Sequence, residues 1–192
     1  MKLSANVKAP PPHDASDKPV VGSHRLRVSS ATESLAEAII STLASYGATL
    51  ATCESLTGGL VAAALTEVPG ASVVFRGGLV TYATDLKVRL AGVSEPTVAA
   101  GVVTRDTAIE MAIGARRNCG SDWAVATTGV AGPGPEGGVA VGTVWIAVVG
   151  PSIDPHEPLS VAEHHVFRGD RMTVRRAAVA EALSCLMHSM GG

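Results

Sequence analysis

A chain of 192 residues, 46% of them apolar and with a formal net charge of −2, is long enough for one domain with a substantial core. It contains no apolar run of roughly 18 residues, which argues against a membrane span, and no basic stripe, which argues against nucleic acid as a partner. The three cysteines Cys53, Cys119 and Cys185 form no C-x-x-C pair, so we expect reduced thiols in a cytoplasmic protein. We also expect no signal peptide, because no apolar segment follows the N-terminal lysine.

Residues 1–30 differ from the rest of the chain, because they contain Pro10-Pro11-Pro12 and lack a periodic apolar pattern. We predict a flexible N-terminal extension there and a single domain over residues 31–192. The first predicted helix covers residues 32–47, with Thr32 or Ser34 as its cap and Gly47 at its end.

The rest of the domain alternates between apolar β-rich segments and helical patterns. Strands are predicted over residues 49–53, 73–82, 123–128, 142–149 and 161–167. Further helices are predicted over residues 57–65, 85–90, 104–118 and 170–190. This alternation predicts an α/β fold, a three-layer α/β/α sandwich. Since no helix separates the last two strands, we expect a mixed, mostly parallel sheet.

The first candidate site is the segment Glu54-Ser55-Leu56-Thr57-Gly58-Gly59, between a strand and a helix. Ligands of α/β sheets bind outside the carboxyl ends of the strands, where a serine at such a turn projects its hydroxyl. Ser55 is therefore a candidate nucleophile, and the N–H groups near Thr57 and Gly58 are candidate oxyanion donors. The alternative is that Ser55 or Thr57 only caps the helix.

The second candidate pair is Tyr82 and Lys87, after the next strand. A lysine whose pKa is lowered by burial or by neighbouring charge can act as a base for a serine, and a tyrosine can relay the proton or orient the serine. The alternative is a tyrosine at a strand end and a solvated lysine. Short-chain dehydrogenases also use Ser, Tyr and Lys, but their Lys follows the Tyr by four residues, and here the step is five.

The third candidate region is the glycine-rich segment 127–138, which lacks the Walker lysine and the dinucleotide-binding pattern. Its backbone N–H groups are candidates for contact with a phosphate. The residues proposed for this contact are Thr128, Gly129, Gly132 and Gly134. A plain surface loop is the alternative.

Arg171 and Arg175 are four residues apart, share one face of the last helix and are suited to clamp a phosphate. Arg176 is interpreted as a solvated residue. His164 and His165 are adjacent on a predicted strand, so they point to opposite faces. No metal site is predicted.

From about residue 33 to the C-terminus, the chain resembles the CinA C-terminal domain family, the nicotinamide-nucleotide amidases. Each motif is weak alone, and the resemblance rests on their order and spacing. The motifs are Glu54-Ser55-x-Thr57-Gly58-Gly59, Val80-x-Tyr82-x-x-x-x-Lys87, Gly92-Val93, Met111-Ala112-x-Gly114-Ala115, Thr128-Gly129-Val130-Ala131-Gly132-Pro133-Gly134, Gly142-Thr143-Val144 and Phe167-x-Gly169-Asp170-Arg171-x-x-Val174-Arg175.

The resemblance implies hydrolysis of the carboxamide of nicotinamide mononucleotide, to nicotinate mononucleotide and ammonia, without metal or organic cofactor. It implies a Ser–Tyr–Lys site, which maps onto Ser55, Tyr82 and Lys87. The 5′-phosphate and ribose are then expected against the loop 129–134 and Arg171 or Arg175. The family's members suggest a homodimer that acts on a small nucleotide.

The chain departs from the family at Thr84, where an asparagine is common, and in the segment Pro135-Glu136-Gly137-Gly138. The first departure leaves open an amidase for a different carboxamide. The other alternative is a non-catalytic nucleotide-binding or regulatory module in competence or DNA-damage responses. Many family members also carry a molybdopterin-binding-like domain, and we expect only the amidase part in this sequence.

Overall fold

The computed structural model describes residues 30–151 and 159–191. The predicted extension, residues 1–30, lies outside this part of the chain except for Ser30, which begins the first helix. None of the helices in these two ranges is both long enough and apolar enough to span a bilayer.

The described residues form one sheet and a set of helices. The strands are β1 (Leu50–Glu54), β2 (Phe75–Val80), β3 (Trp123–Gly129), β4 (Thr143–Gly150) and β5 (Leu159–Val166). The helices are α1 (Ser30–Tyr46), α2 (Leu60–Thr66), α3 (Thr84–Arg89), α4 (Glu95–Ala100), α5 (Arg105–Cys119) and α6 (Arg171–Met190). A single 3₁₀ turn, Ala71–Val73, precedes β2.

The strands lie in the order β2-β1-β3-β4-β5. β1 is parallel to both β2 and β3, whereas β4 is antiparallel to β3 and to β5. β5 therefore runs in the same direction as the first three strands. This confirms the predicted three-layer α/β/α sandwich with a mixed, mostly parallel sheet.

The two faces of the sheet differ in side-chain size, because successive residues of a strand point to opposite faces. Larger residues such as Leu50 and Ile146 pack in a core with the inner faces of α1, α2 and α6. Small residues such as Ala51 and Ala126 pack against α5, whose own buried face includes Ala108 and Ala112. Because these side chains are small, α5 lies close to the sheet.

Several local predictions are confirmed. The N-cap of α5 is Thr104 and that of α6 is Asp170, each of which accepts a backbone N–H of the first turn. The predicted kink at Gly77-Gly78 is a register shift between β1 and β2, where Gly77 has a φ of 151°.

Other local predictions are wrong. Thr32 and Ser34 do not cap α1, because this helix begins at Ser30 and buries Thr32 on its inner face. α4 was not predicted, although its signal is present as Ser94 followed by Pro96 in the first turn. The second predicted helix, 57–65, begins only at Leu60, so residues 55–59 form a separate turn.

The carboxyl ends of β2, β1 and β3 meet at one edge of the sheet because the three strands are parallel and adjacent. The segments that follow them, residues 81–84, 55–59 and 130–138, therefore lie side by side. This edge is where ligand sites of α/β sheets are found.

Candidate active site

Ser55 lies in a turn directly after β1. Its backbone N–H donates to the carbonyl of Thr127 at 2.9 Å, and its own carbonyl accepts the N–H of Gly58 at 3.1 Å. The residue is only 9% exposed, so the hydroxyl is held at the edge of the sheet with little contact with water. We call residues 55–59 the Ser55 turn.

The N-cap residue of α2 is Gly59, and the N–H groups at this end of the helix are bonded by the side chain of Glu54, which is almost fully buried. Its carboxylate accepts the N–H of Gly59 at 2.9 Å, of Val61 at 3.0 Å and of Ala62 at 2.8 Å. The alternative that Ser55 or Thr57 caps this helix is therefore wrong. The Thr57 hydroxyl is instead hydrogen-bonded to the hydroxyl of Thr127, at 2.7 Å.

Lys87 is the partner of the Ser55 hydroxyl. Its Nζ donates to Ser55 Oγ at 3.0 Å and to the carbonyl of Thr81 at 2.7 Å. The side chain is 2% exposed, although it projects from the short helix α3. Burial lowers the pKa of this amine below its ordinary value. Negative charge opposes the effect, from Cys53 when it is a thiolate and from Glu136. The shift is in the direction that a general base beside a serine hydroxyl requires.

Tyr82 lies at the mouth of the site and is 57% exposed. Its hydroxyl accepts a hydrogen bond from Arg171 Nη2 at 2.6 Å, and Arg171 Nη1 donates to the carbonyl of Gly132 at 2.6 Å. No hydrogen bond joins Tyr82 to Ser55 or Lys87 among the described residues. The structure thus brings two of the three predicted catalytic residues into contact and leaves the third with Arg171.

These residues line one cleft at the carboxyl edge of the sheet. The predicted site residues in its wall are Ser55, Tyr82, Lys87, Thr128, Gly129, Gly132, Gly134 and Arg171. The wall also includes Thr84, Glu136 and Val102, the last of which accepts a hydrogen bond from the Thr128 hydroxyl at 2.6 Å. Thr57, Gly58 and Arg175 are not part of this wall.

Arg175 lies behind the Ser55 turn. Its Nε donates to the carbonyl of Leu56 at 2.9 Å, and its Nη2 donates to the carbonyl of Thr57 at 2.7 Å. The predicted oxyanion donor Gly58 uses its N–H on the Ser55 carbonyl. The N–H groups of Leu56 and Thr57, by contrast, find no acceptor in the part of the chain that the structure describes.

A candidate metal cluster lies outside the cleft. Ligand atoms of Glu163, His165 and Glu181 are within 4.8 Å of one another, and His165 Nε2 is 3.2 Å from Glu163 Oε2. Within the cleft, the described side chains offer a metal only the carboxylate of Glu136. Nearby, burial raises the pKa of the Cys53 thiol to about 11, so this thiol is neutral near pH 7.

Two contributions were missed by sequence reasoning. The sequence indicates no role for Glu54, since Ser and Thr are the usual capping residues and a side chain that reaches a helix from the end of a strand has no sequence pattern. Glu136 is visible in the sequence only as part of a departure from the family, because nothing local indicates that an acidic loop residue faces a lysine 49 positions earlier.

Comparison with known proteins shows which family, relatives and solved structures are similar to this chain. The family model described as the CinA C-terminal domain matches residues 32–190. A nicotinamide-nucleotide amidohydrolase of Escherichia coli, PncC, is 40% identical over 156 residues, which cover 79% of this chain and 90% of the enzyme. Among solved structures, the competence/damage inducible protein CihA of Agrobacterium tumefaciens has a TM-score of 0.80 at 35% identity, covering 86% of this chain and 99% of that one.

Other similar proteins are longer and carry less specific names. A CinA-like protein of Frankia casuarinae is 43% identical over 163 residues, which are 84% of this chain and only 36% of that protein. The chain thus spans little more than a third of the length of such relatives, whereas it matches almost the whole of the E. coli amidohydrolase.

Proposed function

The chain belongs to the CinA C-terminal domain family, and we propose that it hydrolyses the carboxamide of nicotinamide mononucleotide to nicotinate mononucleotide and ammonia. The observation that carries the proposal is the 3.0 Å hydrogen bond between the buried amine of Lys87 and the hydroxyl of Ser55, inside a cleft. The 40% identity to a nicotinamide-nucleotide amidohydrolase supports the choice of substrate.

Lys87 acts as the general base in this proposal. The neutral amine takes the proton of the Ser55 hydroxyl, and Oγ attacks the carbon of the carboxamide. The Thr81 carbonyl, which accepts one N–H of the amine at 2.7 Å, holds Nζ within 3.0 Å of Ser55 Oγ. Because burial lowers the pKa of Lys87, more of the amine is neutral near pH 7 than in a solvated lysine.

The attack places a negative charge on the carboxamide oxygen. We assign its stabilisation to the backbone N–H of Leu56, which lines the cleft, since the Gly58 N–H is bonded to the Ser55 carbonyl and Thr57 is fully buried outside the cleft wall. The protonated Lys87 then transfers its proton to the leaving nitrogen, and ammonia departs. Water, deprotonated by Lys87, cleaves the resulting ester and regenerates Ser55.

Arg171 and Tyr82 bind the rest of the nucleotide at the mouth of the cleft. The guanidinium of Arg171 already donates to Gly132 and Tyr82, and an exchange of one of these bonds for a phosphate oxygen places the 5′-phosphate against the glycine-rich loop. In this proposal Tyr82 orients the substrate, because its hydroxyl is engaged with Arg171. The chemistry needs neither metal nor cofactor.

The second candidate function is hydrolysis of another carboxamide. Thr84, which stands where the family commonly has asparagine, lies in the wall of the cleft, where a hydroxyl offers a substrate different hydrogen bonds from those of an amide. The proposal also includes a cytoplasmic homodimer with no nucleic-acid or membrane partner, which rests on the composition and on the family resemblance.

The test is ammonia release from nicotinamide mononucleotide by wild type and Ser55→Ala, without added metal. Wild type is expected to release ammonia, and the variant is expected to lose about 10³-fold or more of the rate, as removal of a serine nucleophile does. Release by the variant at near the wild-type rate contradicts the mechanism. If wild type is inactive on the mononucleotide but releases ammonia from another amide in a panel, the second candidate is correct. Binding of the mononucleotide without release from any amide indicates the regulatory module.

A further inference from the structure

The Ser55 turn carries no charged side chain of its own, yet two charged residues act on its backbone. Glu54 accepts N–H groups at the end of the turn and in α2, and Arg175 donates to carbonyls in its middle. The two do not form an ion pair with each other in the described part of the chain. Both charges are thus compensated by peptide dipoles of the same short segment.

The contacts of Arg175 have a consequence for peptide orientation. In a trans peptide, the carbonyl of one residue and the N–H of the next point to opposite sides. The carbonyl of Leu56 is bonded to Arg175 Nε at 2.9 Å, so the N–H of Thr57 is directed away from the guanidinium. In the same way, the Ser55 carbonyl is bonded to the Gly58 N–H at 3.1 Å, which directs the Leu56 N–H outward from the turn.

We propose that Arg175 is a positioning residue for the amide hydrolysis. It fixes the Thr57 carbonyl, so the N–H of the same peptide, that of Gly58, holds the Ser55 carbonyl and thereby orients the Leu56 N–H that stabilises the oxyanion. This inference rests on the proposed function. It is proposed in place of the sequence-based expectation that Arg175 binds the phosphate, since one edge of its guanidinium is bonded to the turn and the residue does not line the cleft.

The shape of the site requires arginine at this position. The two carbonyls are bonded by Nε and Nη2, two donors on one edge of a planar fork, an arrangement that the single ammonium of lysine does not reproduce. The fork also passes close to the turn, because a Cβ built on Gly58 would lie 3.3 Å from Arg175 Nη2. Gly58 has a φ of 59°, so both its backbone and the space beside it favour glycine.

The experiment compares Arg175→Met and Arg175→Lys with the matched control Arg176→Met. Arg176 is the next residue of α6, is exposed and makes no hydrogen bond or ion pair with the described residues. We expect Arg175→Met to lower kcat about 10²-fold with KM changed by less than about twofold, the effect of losing an oriented oxyanion donor. Arg175→Lys keeps the charge and is expected to regain less than about a tenth of the lost rate. Arg176→Met is expected to match wild type.

Two substrates separate positioning from phosphate binding. If Arg175→Met raises KM for the mononucleotide and not for the corresponding riboside, Arg175 contacts the phosphate and the inference is wrong. An unchanged kcat in both Arg175 variants also overturns it. Melting temperatures are measured for all variants, and Arg175→Lys provides the comparison if Arg175→Met does not fold.

A fluorophosphonate probe makes the test independent of the amide substrate. Ser55 Oγ forms a bond to phosphorus, fluoride leaves, the serine proton passes to Lys87, and the phosphoryl oxygen takes the place of the oxyanion. Ser55→Ala serves as the blank. The inference requires labelling of Arg175→Met to be slowed by a factor similar to that for kcat. If wild type labels but releases no ammonia from the mononucleotide, the proposed function fails and the labelling rates alone decide the role of Arg175. If wild type neither labels nor hydrolyses, both proposals are wrong.

Discussion

The Ser55 turn and the loop of residues 129–138, here called the glycine loop, leave the carboxyl ends of two neighbouring parallel strands and are held in different ways. Ser55, Leu56 and Thr57 of the turn are buried, and side chains from β1, β3 and α6 bond to it. Residues 133–138 of the glycine loop are exposed, and Arg171 is the side chain that bonds to the loop, at Gly132. In the proposed mechanism, the constrained segment performs the chemistry and the exposed one binds the substrate.

This difference agrees with where the chain departs from its family. The Glu54-Ser55-x-Thr57-Gly58-Gly59 motif is one of those on which the resemblance rests, whereas the glycine loop includes the departure over Pro135-Glu136-Gly137-Gly138. A change in the Ser55 turn disturbs several hydrogen bonds at once, while the exposed tip of the loop has few to lose. We therefore expect substitutions around the Ser55 turn to affect kcat. Substitutions around the glycine loop are expected to affect KM or the pH dependence.

The largest effect is expected for Lys87→Met, on the side of the chemistry. Met is similar in length and uncharged, so the base is lost while the buried volume is nearly kept. We expect kcat to fall by about 10²–10⁴, the contribution of a positioned general base, measured by ammonia release. Arg89→Met, two residues later on α3 and exposed, is the control. A Lys87→Met variant that kept more than a tenth of the activity would exclude Lys87 as the base.

The second prediction concerns the base of the glycine loop, which is as constrained as the Ser55 turn. A Cβ on Gly129 would lie 2.6 Å from the Thr143 carbonyl oxygen and 2.9 Å from Val144 Cα, whereas one on Gly134 meets nothing within 4 Å. Gly129→Ala is expected to lower the free energy of unfolding by about 3 kcal/mol, and Gly134→Ala to change it by less than about 0.5 kcal/mol. Urea unfolding measures the free energy of unfolding of both variants. Equal effects of the two substitutions would contradict the expected difference between the base and the tip of the loop.

The third prediction tests whether Arg171, at the mouth of the cleft, contributes to substrate binding and not to the chemical step. We expect Arg171→Met to raise KM for the mononucleotide about 10- to 100-fold, the loss of one charge-assisted contact, with a smaller change in kcat. KM for the riboside should stay close to wild type. Arg168→Met, exposed and without hydrogen bonds or ion pairs among the described residues, is the control. A fall in kcat for both substrates would instead place Arg171 in the chemistry.

The smallest effect is expected for Glu136→Gln, because Glu136 of the glycine loop acts on Lys87 through its charge alone. The negative charge of Glu136 raises the pKa of Lys87 against the larger lowering caused by burial. Its removal lowers that pKa further, so the limb of kcat/KM that rises with pH as Lys87 loses its proton moves to lower pH. Salt should reduce the difference, because Glu136 is exposed. Glu95→Gln, exposed in α4, should leave the profile unchanged, and a shift to higher pH with Glu136→Gln would contradict the assignment.

The sequence by itself determined the layered α/β architecture and the segments that surround the cleft. Alternating strands and helices have distinct periodicities, and Thr104 and Asp170 cap their helices through local hydrogen bonds that a local pattern encodes. The motif order also indicated the family and its Ser–Tyr–Lys site, of which Ser55 and Lys87 are in contact in the structure.

Only the tertiary structure decided which candidates meet. Ser55 and Lys87 come together across β1 and β2, Tyr82 instead bonds to Arg171, and Arg175 supports the Ser55 turn from behind. The side chain of Glu54, from the end of β1, accepts the N–H groups at the start of α2 in place of the expected serine or threonine cap. These choices depend on the relative positions of segments up to 119 residues apart in the chain. Local propensity sets the type of each element, but the packing of helices against the sheet sets which side chain reaches which backbone group.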